Sequence, residues 1–177
     1  MNGCRTAWLP NGAGASSIAL LHATTLGEKD KLKWKWKKGL ATSLSEFLDP
    51  VSSPNSEYHI CMYDSASQSP RFINSTVRAM GTCNGSPCWK ETGSKGFLYK
   101  DKSASSDGIT VIKLRRGVNG KASVKVAGKG TGLSMFLMLE SPVTAQFLAT
   151  DGTTQCWETV FSNPTLSGWR SYKATGP

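Results

Sequence analysis

Leu32-Lys33-Trp34-Lys35-Trp36-Lys37 alternates strictly between apolar and cationic residues. At the two-residue period of a β-strand, Leu32, Trp34 and Trp36 share one face and the three lysines share the other. Two indoles and a leucine on one side are what a core needs, and lysines on the other are what water accepts. The stretch therefore reads as a strand with one buried and one solvated face, the pattern of antiparallel sheets.

Working outward, the same kind of signal recurs at Tyr58 to Asp64, Phe72 to Arg78, Gly96 to Tyr99, Ile109 to Leu114, Ala122 to Ala127, Val143 to Thr150 and Gln155 to Phe161. Each run is bounded by Gly, Pro, Ser, Asn or Asp clusters. In two of them the alternation is explicit. Ala122, Val124 and Val126 oppose Ser123 and Lys125, while Val143, Ala145, Phe147 and Ala149 form another single face. Only Leu40 to Leu48 has a spacing that suits a short helix, and its Thr and Ser content fits an extended segment equally well. At 177 residues with 18 glycines, the chain has the size of one domain built from short elements and many turns. The expectation is all-β: an antiparallel β-sandwich of about eight strands over residues 17–177. Residues 1–16, rich in Gly, Asn, Ala and Ser, read as a flexible leader. Within Ser17 to Ala23 the apolar run is a candidate for a donated or swapped strand that pairs with another chain at a sheet edge.

Five cysteines carry the next inference. Cys61, Cys83, Cys88 and Cys156 fall in or beside the expected strands and allow three pairings. Asn84-Gly85-Ser86-Pro87 is a turn-forming spacer that brings Cys83 and Cys88 within bridging reach, so that pair comes first. Cys61 and Cys156 then pair by elimination, leaving Cys4 in the leader as a thiol. A disulfide-stapled domain belongs in an oxidising compartment, so the expected location is secreted or periplasmic. The first residues make a poor signal peptide, which implies that an exported form would start further upstream. Zinc is disfavoured, because C-x4-C with distant partners lacks the paired knuckles of structural zinc folds.

Motifs for catalysis are sparse. The two histidines, His22 and His59, stand outside any H-E-x-x-H spacing, and there is no G-x-S-x-G elbow, S-x-x-K or phosphate loop. A hydrolytic site of unfamiliar type near His59, with Asp64 and the serines in reach, is the enzymatic alternative. Asp101, Asp107 and Glu91 surround a polar turn, Lys100 to Gly108, that lacks EF-hand spacing and reads as a solvated hairpin rather than a calcium loop. No catalytic residue, metal or cofactor is assigned.

A formal charge of +9 favours attraction to anionic partners. Lys31, Lys33, Lys35, Lys37 and Lys38 read first as solvated lysines that protect sheet edges, and Lys33, Lys35 and Lys37 have a second reading as a face for an anionic polymer. Of the tryptophans, Trp34, Trp36, Trp89 and Trp157 are assigned to the core. Trp169 is the one expected at the surface, where it could stack on a carbohydrate. Nucleic acid is not the favoured partner, and no apolar run approaches the roughly 20 residues that cross a bilayer.

KLKWKWKKG leading to FLDP, YHICMYD, GTCNGSPCWK, GFLYKDK followed by SDGI, GKASVKVAGKG and CWETVFS, in that order between Lys31 and Ser162, resemble a family of β-rich domains near the C-termini of uncharacterised exported bacterial proteins. That resemblance implies export and a β-rich fold, and it brings no activity or site residue with it. The leader with Cys4 departs from the family pattern. The functional expectation is a secreted, non-catalytic accessory, adhesion or assembly module. A carbohydrate or anionic-polymer binder using Trp169 or the Lys33, Lys35, Lys37 face is the alternative, ahead of a hydrolase near His59.

Overall fold

The computed structural model describes residues 3–6, 16–23, 26–65, 72–133, 135 and 139–176. Fourteen strands follow in chain order: β1 (Ser16–Leu21), β2 (Lys31–Gly39), β3 (Glu57–Tyr63), β4 (Ile73–Arg78), β5 (Thr82–Cys83), β6 (Ser86–Pro87), β7 (Trp89–Glu91), β8 (Gly96–Lys100), β9 (Ile109–Arg115), β10 (Ala122–Lys129), β11 (Val143–Thr150), β12 (Thr154–Phe161), β13 (Pro164–Gly168) and β14 (Ser171–Gly176). They form an eight-stranded sheet in the order β13-β14-β1-β2-β10-β9-β8-β7, a four-stranded sheet β12-β11-β3-β4 and the small hairpin β5-β6. All strand pairs are antiparallel. The eight expected strands are all present. β1 overlaps the apolar run expected to act as a donated strand; those not expected are β13 and β14, which with β1 extend the large sheet beyond β2, and the two- or three-residue strands β5, β6 and β7. Short strands with polar sequences give no period to read. Between Leu40 and Leu48 the chain makes a single 3-10 turn, Ser45–Phe47.

The alternation read from the sequence is the alternation of burial. Leu32, Trp34 and Trp36 are fully buried and their neighbouring lysines are not. The inward faces of both sheets merge in one core, with ring pairs running between them. Tyr99 packs on Trp89 at 5.2 Å, Trp89 on Tyr58 at 4.8 Å, Tyr58 on Phe147 at 5.8 Å, Phe147 on Trp157 at 5.7 Å, and Trp157 on Phe47 at 4.8 Å. Ring pairs at these separations add about 0.5–1.5 kcal/mol each beyond the area they bury. The polar tips of these paired rings are satisfied: Tyr58 donates to the Phe47 carbonyl at 2.9 Å, Trp89 Nε1 to the Arg78 carbonyl at 2.9 Å, Tyr99 to Ser106 Oγ at 2.9 Å and Trp157 Nε1 to Thr42 Oγ1 at 3.2 Å.

Cys83 and Cys88 are bridged across β5-β6, with Cα atoms 4.9 Å apart. Asn84 and Gly85 both take positive φ, 52° and 78°, as a tight hairpin turn requires. The second expected bridge is corrected. Cys156 pairs with Cys4, Cα–Cα 4.6 Å, and Cys61 belongs to neither disulfide. Register explains the difference. Cys61 on β3 stands opposite Gln146 on β11, whereas Cys156 on β12 stands opposite Leu148. The two cysteines are therefore separated by an intervening strand and offset along it, beyond the Cα separation a disulfide spans. Cys4 reaches Cys156 because the N-terminal segment lies along the open edge of β12, where Arg5 N donates to the Cys156 carbonyl and Glu158 N to the Arg5 carbonyl, both at 2.8 Å. The expected leader is thus anchored at residues 3–6, and its residues 7–15 lie outside those described. The segment flagged as a donated strand is β1, paired on both sides within its own chain, with β14 and with β2.

Candidate functional site

Strand order decides how the lysines are read. β2 has β1 on one side and β10 on the other, so Lys33, Lys35 and Lys37 guard no edge, and edge protection is set aside. They stand on the outward face of the large sheet with neighbours of the same sign. Lys35 is directly opposite Lys125 on β10, and Lys125 is directly opposite Lys113 on β9. Directly opposed residues in antiparallel strands have Cβ atoms about 4.5–5.5 Å apart, and like charges so placed repel. Lys31, Lys129 and Arg115 extend the patch along the same strands, and Lys173, Lys100 and Lys90 extend it across to β14, β8 and β7. Across the eight strands the sole carboxylate is Glu91 on edge strand β7, in register with inward-facing Phe97. No carboxylate pairs with any of these cations among the described residues.

Lys125 registers this field. Partial burial lowers its ammonium pKa, and the charges of Lys113, Lys37, Lys35 and Arg115 lower it further. Charge can be held on this side chain only against the surrounding charge, and an anion laid over the row would remove that opposition.

The face runs into a cleft of about 580 Å³ at its Arg115 end, between the 41–46 segment and Lys95, Arg115, Arg116 and Val118. Its one acid, Glu46, is engaged: Arg5 pairs with one carboxylate oxygen, and Ser43 donates to the other through N at 2.6 Å and Oγ at 2.9 Å.

Trp169 is at the surface as expected, 76% exposed, while Trp34, Trp36, Trp89 and Trp157 are buried. It sits in the β13–β14 turn, beyond the end of the face marked by Leu21 and Lys31, and Lys33, Lys35 and Lys37 run away from it. The structure therefore does not unite Trp169 with the lysines. Lys113, Lys125, Arg115, Arg116 and Lys95 were not singled out from the sequence. Strand alternation turns Lys125 outward, but its place beside Lys35 depends on strand order.

Around His59, Nδ1 lies 3.0 Å from Thr76 Oγ1 and Nε2 lies 3.8 Å from a Glu57 oxygen. The other Glu57 oxygen sits 3.3 Å from Arg78 Nε. At 3.8 Å the carboxylate is beyond hydrogen-bonding distance and does not orient the imidazole. These residues border a cleft of about 630 Å³ that also takes in Tyr99, Asp107 and the Cys83–Cys88 bridge. Asp107 accepts from Thr76 N at 2.9 Å, and the buried Asp101 accepts from Ser103 N at 2.9 Å, Ser105 N at 2.6 Å and Ser105 Oγ at 2.7 Å. Both carboxylates thus hold the polar loop in shape. Among the described residues no helix is long and apolar enough to cross a membrane. No match to the chain was found among protein-family models, curated proteins or solved structures.

Proposed function

We propose that this protein is an exported adhesion or accessory module that holds an anionic polysaccharide against the outward face of its large sheet. The row Lys35, Lys125, Lys113 on three adjacent strands carries this reading. Stacking like charges across a sheet costs stability. Solubility alone is served by mixed charges, and edge protection has no role on central strands. A polyanion offsets the repulsion and gains affinity as its counterions are released. Trp34, Trp36, Trp89 and Trp157 are buried, and the exposed Trp169 lies beyond the end of the lysine face, so no described tryptophan stands on that face for a neutral sugar to stack on, which favours charge over stacking there. Two disulfides favour an oxidising compartment, and so a surface or envelope polymer over nucleic acid.

The test compares binding to dextran sulfate with binding to neutral dextran over a salt series. Expected are binding to the sulfated polymer only, a log K that falls linearly with log salt, and a loss of about tenfold or more in a Lys113→Gln, Lys125→Gln double variant, from charge contacts that each contribute on the order of 1 kcal/mol. The same variant is expected to melt higher than the parent because the repulsion is gone. Equal binding to neutral dextran, or full affinity in the double variant, would overturn the proposal.

A further inference from the structure

The cleft at the Arg115 end of the cationic face is the second feature with a ligand chemistry of its own, and reading it rests on the polymer proposal above. Arg115 belongs to both: it is the last outward residue of β9 and it lines the cleft. Lys95 and Arg116 line the same cleft from adjoining turns, where Arg116 N donates to the Lys95 carbonyl at 2.9 Å and fixes the two segments together. All three side chains are exposed, and none pairs with a carboxylate among the described residues. Glu46, which also lines the cleft, is met on site by Arg5 and Ser43. The cleft is therefore a concave, net cationic site with two guanidinium forks and one ammonium.

We infer that this cleft is a binding subsite for a phosphate or sulfate ester group of the polymer. A carboxylate offers two oxygens and is satisfied by one guanidinium fork, whereas a phosphate or sulfate ester offers three outward oxygens and suits several cations converging from different segments. Ser43 and the backbone at Gly117 also border the site, and Val118 supplies an apolar rim against which a sugar ring can rest. The lysine face then provides attraction along the chain, and the cleft provides the chemical choice between esterified and carboxylated polymers.

Backbone amide NMR of the whole protein, titrated with inorganic phosphate and with acetate at matched ionic strength, tests this. The expected result is saturable phosphate shifts confined to residues 43–46, 95 and 115–118, and acetate shifts at least tenfold weaker. In a Lys95→Gln, Arg116→Gln variant the phosphate response disappears, dextran sulfate affinity falls about tenfold, and preference over a carboxylated polymer such as alginate is lost. In the Lys113→Gln, Lys125→Gln variant the phosphate response is retained. Phosphate shifts spread over all lysines, or unchanged in the cleft variant, would sink the subsite while leaving the polymer face intact. Phosphate bound in the cleft by a protein that ignores dextran sulfate would sink the polymer face instead.

Discussion

Arg5 lies over Trp157, its guanidinium carbon 6.0 Å from the ring centroid, and the same guanidinium pairs with Glu46 and donates to Gln155 at 3.2 Å. One residue earlier, Cys4 is bridged to Cys156. The N-terminal segment is thus held to the open edge of β12 by a covalent bond, a backbone pairing and a cation over an aromatic face. It also touches the other layer, since Thr6 accepts from Leu40 N at 3.2 Å.

Removing that bond should cost a large part of the fold's margin. The Cys4–Cys156 bridge closes a sequence separation of 152 residues, and chain entropy puts an upper value of about 5 kcal/mol on such a loop, with measured losses of about 2–5 kcal/mol. At about 2–4 °C per kcal/mol for a chain of this size, Cys4→Ser is expected to lower Tm by roughly 5–15 °C. Peptide mapping of the unreduced parent should return Cys4–Cys156 and Cys83–Cys88, with Cys61 alkylated only after denaturation. A Cys61–Cys156 peptide would contradict the strand register.

Gly39 ends β2 where the Trp36 indole lies over it, and a Cβ built there would overlap the ring, 1.8 Å from its nearest carbon. Because that ring is fully buried among core neighbours, it cannot step aside without repacking them. Gly39→Ala is expected to cost about 2–3 kcal/mol by overpacking, while Gly168→Ala, where a Cβ meets nothing within 4 Å, stays within about 0.5 kcal/mol of the parent. Urea denaturation of the two variants decides it.

The core was legible in the sequence because both partners of each inference lie in one strand. Leu32, Trp34 and Trp36 share a face whatever lies beside them, and Asn84-Gly85 turns the chain locally. The site was not, since Lys35 and Lys125 lie ninety positions apart, and their meeting depends on β10 joining β2 rather than β1. The Cys4 bridge was hidden for the same reason. Residues 3–6 carry no alternation, and what places them is the vacant edge of β12, a property of the finished sheet.

Asp101 gives the fold an acid limit. Burial pushes its carboxyl pKa up, but hydrogen bonds from Ser105, Ser103 and Tyr99 outweigh burial and hold it below the ordinary value of 3.8. A carboxyl with a depressed folded pKa contributes stability that is complete above 3.8 and is lost as pH falls through the lower folded value. Tm is therefore expected to drop below about pH 4 in the parent, with a shallower drop in Asp101→Asn, whose Tm is already lower at pH 7. Parallel acid limbs in the two proteins would show that other carboxylates set the limit.

Lys125 gives the polymer face a pH signature of opposite sense. Its folded ammonium pKa is lowered from 10.5, by burial first and then by Lys113, Lys37, Lys35 and Arg115. A lysine with a depressed folded pKa costs stability while charged, and that cost is relieved as pH rises through the folded value toward 10.5. The free protein should therefore gain on its Lys125→Gln variant as pH rises from 7 to 10. A bound polyanion offsets at neutral pH the part of that cost that comes from the neighbouring cations, and its own hold weakens as the ammonium titrates. The Tm increment produced by a fixed concentration of dextran sulfate is thus expected to be largest near pH 7 and to shrink by pH 10, with a smaller pH dependence in the variant. Differential scanning calorimetry at both pH values, with and without polymer, reads all four states. An increment that does not change with pH, or that changes equally in the variant, would mean that the polymer is held away from the Lys35–Lys125–Lys113 row.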